Sequence, residues 1–413
     1  MTGLHVRLIT KLTLVAALVA GSLSGCPAAG AAEATHSGNK PQPQTVKSCL
    51  SSRELEAALA EASKRLGQSR FEDAAQMLQP LVAGNCDPRF SLLLAAAFEG
   101  QGDMPKATAE LERAHRLWPA NDSIAASLAR DYIAAGNTEN AAKALAHFRV
   151  SAKTSEQEMR MAVVVYLAAH RLQPAETVAA AAYKTYPSVQ TLLLLANTLQ
   201  MQGRYPDVNR LLGSQRANYA GSPEFFVTLA ESEFDASIYQ AARDDLKRAL
   251  ALDPGLYQAH YLMGNVLSRL NDPDGAEAEY HKAIDLAPSQ PRTYFQLALL
   301  LRTKQDETGE QQALAQALAV DEHYGPAQCE MGRILLEQDR RPAEAVRHLT
   351  TAIQDNPRFE QAYFLLARAY AQLGEQDKSQ EIVRRLTVVR KENRPAQGGT
   401  MHDLPDSNRA PQP

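Results

Sequence analysis

Small residues inside apolar runs recur along this chain at an almost fixed interval. Ala95, Ala129, Val163, Ala196, Ala230, Gly264, Ala298, Gly332 and Ala367 stand 34, 34, 33, 34, 34, 34, 34 and 35 residues apart. A second column keeps the same phase: Ala107, Ala141, Ala175, Val208, Ala242, Ala276, Glu310, Ala345 and Ser379. Prolines that close helix-like runs, Pro119, Pro187, Pro254, Pro288 and Pro357, fall 68, 67, 34 and 69 residues apart, one or two multiples of the same period. The physics behind such columns is close helix packing. Two helices need small residues where their backbones approach, bulky apolar ones three or four positions away, and a breaker between pairs, which proline supplies. The pattern predicts an all-α chain of ten helix-turn-helix units, beginning near Glu54, Pro88, Asp122, Glu156, Val189, Pro223, Tyr257, Pro291, Gly325 and Glu360. Composition agrees: aromatic residues are only 6% of the chain and β-branched runs are few, so helix is better supplied than strand.

The clearest copy runs from Tyr257 to Gln290, where His260, Met263, Gly264, Leu267, Ala276, Tyr280, Ala283 and Pro288 hold the repeated positions. These residues resemble the tetratricopeptide repeat, a 34-residue helix-turn-helix, with His260 where that family often has Trp. The resemblance covers about 340 of the 413 residues. It implies a right-handed α-solenoid whose first helices line a concave face. Three departures stand out. Glu310 occupies a small-residue slot and puts the packing of its unit in doubt, Gln215 replaces an expected alanine, and Arg340-Arg341 accommodates one inserted residue in the ninth unit. The first unit, Glu54 to Asp87, is the poorest match, as a terminal capping repeat would be.

The ends of the chain have a different character. Arg7 and Lys11 precede "LTLVAALVAGSL", a 12-residue apolar run too short to span a bilayer and suited to the core of an export signal. Directly after it, Leu23-Ser24-Gly25-Cys26 resembles a bacterial lipobox, in which Cys26 would be acylated. The alternative is an ordinary signal cut after the small residues Ala28 to Ala32. The expected organisation is a signal over residues 1–25, a flexible tether over 26–52, the solenoid over 53–393 and a disordered tail over 394–413. With Cys26 set aside, Cys49 and Cys86 flank the first unit, and the outer ends of a helix hairpin are neighbours. They either pair as a disulfide or are unrelated thiols, while Cys329 lies on a repeat helix as a small buried residue.

Chemistry is harder to find. Glu277, His281 and Asp285 in "AEAEYHKAIDLAP" align on one helix side, but the same offsets elsewhere hold Arg243, Lys247 and Ala251, or Ala142, Ala146 and Val150, which is surface variation. No metal-ligand spacing, phosphate-binding glycine loop or nucleophile motif occurs, so the expectation is a protein without catalysis, cofactor or metal. A formal net charge of -4 gives no reason to expect a nucleic-acid partner. What the resemblance implies instead is protein or peptide binding in the groove. Carried over, its groove positions in the C-terminal units are Tyr261, Asn265, Arg269, Arg292, Phe295, Arg302, Arg333, Phe364 and Arg368. Arginine pairs bidentately with carboxylates and aromatics contribute desolvated area, so this set suits a peptide, although arginine is also an ordinary soluble surface residue. The middle unit differs, with Glu224, Glu231 and Asp235. The lysine and asparagine clamp of chaperone-binding members has no counterpart, since no lysine holds those positions. The expected role is a scaffold of the bacterial cell envelope, with the membrane reached only through a lipid at Cys26. The alternative is a soluble periplasmic or secreted recruiting subunit of an envelope glycan or peptidoglycan enzyme complex.

Overall fold

The computed structural model describes residues 50–151 and 154–393. Among the described residues there are twenty helices and no strand. The first five pairs are α1 (Ser52–Gly67) with α2 (Phe71–Val82), α3 (Pro88–Gly100) with α4 (Met104–Leu117), α5 (Asp122–Ala134) with α6 (Thr138–Ala144), α7 (Glu156–Ala168) with α8 (Leu172–Thr185), and α9 (Val189–Met201) with α10 (Tyr205–Gln215). Then come α11 (Pro223–Asp235), the last helix of one compact unit, and α12 (Tyr239–Leu252), the first of the other, followed by four pairs, α13 (Tyr257–Arg269) with α14 (Pro273–Leu286), α15 (Pro291–Thr303) with α16 (Glu307–Val320), α17 (Gly325–Glu337) with α18 (Pro342–Asp355), and α19 (Glu360–Gln372) with α20 (Gln376–Asn393). Nine of the ten predicted unit starts coincide with the first residue of a helix, and the first helix starts at Ser52 rather than Glu54. The chain forms two compact units, divided between Ile238 and Tyr239. Residues 1–49 and 394–413, where the export signal, most of the tether and the tail are expected, lie outside the described residues, and with them Cys26 and Cys49.

Starts are sharp because the sequence caps them. Ser51 and Ser155 form capping boxes with Glu54 and Glu158, while Asp87, Asn121 and Ser222 accept a first-turn N–H through their side chains. Inside the pairs, the two small-residue columns are buried wherever they hold Ala, Val or Gly. Their partners trade volume. Gly264 faces the ring of Tyr280 and Gly332 faces Leu349, whereas at the same register Val163 is matched by Ala179. The slot where the family often has Trp is filled by residues as different as Ala125, Met159, Phe226, His260 and Gln328, all buried.

The turn after each odd-numbered helix has one residue with a left-handed backbone. Gly102, Gly136, Gly203 and Gly374 take it at φ 72 to 78°, but Ser69, His170, Ser237, Asn271, Gln305 and Arg340 take it too, at φ 52 to 61°. A Cβ in that region is strained. Gln305→Gly should therefore raise stability by about 0.5–1 kcal/mol, read as a higher urea midpoint at unchanged slope; a lower midpoint would refute the strain. At the ninth turn the inserted residue lengthens the closure. Arg341 N donates to Leu335 O at 2.7 Å, six residues back, where Asp272 N donates to Leu267 O at 2.9 Å, five back.

Two expectations about irregularity change places. The unit holding Glu310 packs regularly, with α16 a full 14-residue helix. The third unit is the broken one, since α6 is only 7 residues long. Side chains hold that break. Asp122 Oδ1 accepts Arg149 N at 3.2 Å, Tyr166 hydroxyl donates to Leu145 O at 3.0 Å, and Tyr186 hydroxyl donates to Thr154 O at 2.9 Å.

Candidate functional site

In the C-terminal unit, helices α13, α15, α17 and α19 carry all nine residues expected to line a groove. They divide into two chemically distinct groups. On α13 and α15 the first group is built around Arg292. Its guanidinium lies 4.6 Å from the ring centre of Tyr261 and 5.4 Å from that of Tyr257, and its Nε donates to the Tyr257 hydroxyl at 3.0 Å. That hydroxyl shares a 2.8 Å hydrogen bond with Thr293 Oγ1, and the two tyrosine rings stack at 6.1 Å. Phe295 meets Tyr324 edge to face at 5.9 Å. Asn265 Oδ1 accepts the hydroxyl of buried Tyr280 at 2.8 Å, and burial pushes the titration of both the Tyr280 and Tyr324 hydroxyls far up. Arg269, four residues beyond Asn265, is exposed.

The second group is a ladder of ion pairs. Glu330 Oε2 accepts from Arg302 and from Arg333, each at 2.6 Å, and its Oε1 accepts from Gln361 Nε2 at 3.3 Å. Arg333 also reaches Glu310 at 2.6 Å and Glu337 at 3.6 Å, and Glu337 pairs with Arg368 at 2.7 Å. Burial raises the Glu310 carboxyl above its ordinary value, against the pull of Arg333. The guanidinium of Arg368 lies 5.7 Å over the ring of Phe364, which is 48% exposed. A cavity of about 590 Å³ next to this group is lined by Leu336, Glu337, Arg340, Pro342, Arg368 and Gln372. Arg302, Arg333 and Arg368 thus all have carboxylate partners within the chain.

Sequence reasoning chose the arginines and missed what answers them. Glu330 and Glu337 sit three before and four after Arg333 on α17, a helical spacing that would have paired them on paper. Tyr257 and Tyr324, at helix starts, had no such signal. His260 is buried with Nδ1 2.6 Å from Glu279 Oε2 and Nε2 2.9 Å from Pro254 O. The Glu277, His281 and Asp285 line is a solvated surface, with Glu277 2.7 Å from Lys304 Nζ and 3.9 Å from His281. No cluster of three or more metal-ligating side chains occurs among the described residues. Of the cysteines, Cys86 is disulfide-bonded and Cys329 is a free buried thiol whose titration is pushed up by burial.

In the N-terminal unit, Arg89 of α3 and Arg160 of α7 occupy the offsets that Arg292 and Tyr261 hold in theirs, and α5 carries Arg130. Arg130 contacts Glu99 and lies 3.1 Å from the fully buried Asp131, and burial raises both carboxyls. Glu224, Glu231 and Asp235 lie on α11.

Sequence profiles of the tetratricopeptide repeat match residues 59–122, 227–291, 261–323 and 336–398, together more than half of the chain. No curated protein gives a significant sequence match. Among solved structures, yeast Tom70 is 14% identical over 82% of this chain and 92% of its own, with a TM-score of 0.45. MamA is 17% identical over 43% of this chain and 98% of its own, with a TM-score of 0.36. YrrB, described as a TPR protein with an unusual peptide-binding site, is 16% identical over 44% of this chain and 93% of its own, with a TM-score of 0.35.

Proposed function

We propose, for a chain that belongs to the tetratricopeptide-repeat family, a non-catalytic scaffold that holds a protein or peptide partner on the first-helix face of its C-terminal unit. The observation that carries the reading is the line of aromatic side chains along that face, Tyr261, Phe295 and Phe364, the last of them about half exposed beneath a guanidinium. Aromatic and arginine side chains presented together are what protein interfaces concentrate. A photo-crosslinker at position 364 or 295, used in native envelopes and followed by mass spectrometry, should trap a discrete partner. Failure to trap any protein from either position would refute the scaffold.

We place the scaffold in the bacterial cell envelope, held by acylation at Cys26. The apolar run before Leu23-Ser24-Gly25-Cys26 supports export, and a disulfide at Cys86 fits an oxidising compartment. Two acyl chains would anchor the protein stably. Radiolabelled palmitate should enter the wild type and be lost in Cys26→Ala. An unlabelled wild type would leave the soluble periplasmic or secreted form, recruiting for an envelope glycan or peptidoglycan enzyme, as the surviving reading. Mass spectrometry of unreduced peptides tests Cys49 as the partner of Cys86, and free thiol at Cys49 refutes it.

A further inference from the structure

We propose that the side of α20 turned away from α19 is a second docking surface of the C-terminal unit. Its occupant is an acidic helix of a partner protein, with aliphatic side chains beside its carboxylates. This goes beyond the first-helix face and does not depend on it. Each of α14, α16 and α18 packs between the first helix of its own pair and that of the next, whereas α20 has α19 as its one substantial helix neighbour among the described residues. The consequence shows at Val383. It stands at the position that Tyr280, Leu314 and Leu349 hold in the three pairs before it, where none is more than 2% exposed, yet it is 49% exposed. Val388 is 56% exposed, and these are the two most exposed large apolar side chains among the described residues.

Between the two valines runs a basic row. Gln380, Arg384, Thr387 and Lys391 are exposed and spaced four, three and four residues apart, so they line one side of the helix. Val383 and Val388, five positions apart, stand on its two flanks. The other cations of α20 are answered: Lys378 by Glu375, Arg385 by Glu381 at 2.7 Å and Arg390 by Glu360 at 3.3 Å. Arg384 and Lys391 form no ion pair among the described residues, and Glu381, three residues before Arg384, is held by Arg385. Exposed cations flanked by exposed aliphatics complement a helix that carries carboxylates and apolar side chains together. A second copy of the chain, docking through the same side, would set Arg384 and Lys391 against their own like charges. A membrane surface would meet two valines and no Leu, Phe or Trp there, less than interfacial helices insert.

Fluorescence anisotropy of the full-length protein with a labelled helical peptide, a row of glutamates flanked by leucines, tests the assignment. Binding should weaken at least fivefold when Arg384→Ala is combined with Lys391→Ala, and likewise in Val388→Asp, with helical circular dichroism unchanged, but less than twofold in Phe364→Ala. The same peptide with lysine in place of glutamate should not bind. Equal binding of the two peptides, or undiminished binding in both altered proteins, would overturn the proposal. So would a tenfold gain in affinity on removing residues 394–413, which would make that segment the occupant, or self-association that Val388→Asp abolishes, which would make it a second copy. Tighter binding to phosphatidylglycerol vesicles than to the glutamate peptide would overturn it in favour of a membrane. Crosslinking at position 364 or 295 reads the first-helix face, so the two proposals fail separately.

Discussion

Gly264→Ala is expected to destabilise the C-terminal unit by about 2 kcal/mol, although alanine is the better helix former by about 1 kcal/mol. The added methyl would stand 2.5 Å from Cε1 and 2.6 Å from Cδ1 of Tyr280. The ring has nowhere to go. Tyr280 is 2% exposed, its hydroxyl is tied to Asn265 at 2.8 Å, and Tyr261 lies 6.4 Å from it, centre to centre. Other pairs show the remedy, since Ala95 with Leu111 and Ala298 with Leu314 occupy the same two positions with both members buried. Tyr280→Leu alone should also cost about 2–3 kcal/mol, through the space it empties beside glycine. Together the two changes should cost at least 2 kcal/mol less than the sum of their separate effects. Chemical denaturation of the four proteins measures this, and strictly additive costs would show that the two positions do not share volume.

That pair also explains why the fold was so legible. The period survives in sequence because each unit solves the same packing problem with a fixed sum of side-chain volumes, so small residues must recur even when their partners vary. Breaks in the period were harder to judge. Glu310 looked like a defect because only its own column was visible, and the arginine that neutralises it lies 23 residues away on another helix. The shortened α6 left no mark, because no glycine or proline stops it. Asp122, Tyr166 and Tyr186, scattered over more than sixty residues of sequence, accept or donate the bonds that replace its last turns. The candidate site was legible in residue type and not in pairing: the arginines read alike as sequence, and the glutamates that tie Arg302, Arg333 and Arg368 into a ladder were not chosen with them.

The ladder makes the second strong prediction. Arg333→Ala should cost about 3–5 kcal/mol at neutral pH, because it strands carboxylates that have left water. Glu310 is 2% exposed, and Glu330 loses one of its two guanidinium partners. Glu310→Ala should behave in the opposite way. It restores the small residue that the repeat places there, and Arg333 keeps Glu330 at 2.6 Å and Glu337 at 3.6 Å. Its effect at neutral pH should be close to zero or stabilising, since the desolvation of one buried charge is removed while its partner stays paired. The pH dependence fixes the sign. Burial holds the Glu310 carboxyl above its ordinary value in the folded chain, so as pH falls the folded state takes up this proton before the unfolded state does. The unfavourable share of Glu310 is therefore full at neutral pH and is relieved as pH descends toward the ordinary carboxylate range. Any advantage of Glu310→Ala should shrink over that window, and the deficit of Arg333→Ala should shrink with it, because its stranded carboxylate becomes easier to protonate. Denaturation midpoints of the three proteins across the acidic range decide the matter. A deficit in Arg333→Ala that stays constant or deepens on acidification would mean that lost packing of the guanidinium, and not an uncompensated charge, is what the substitution removes.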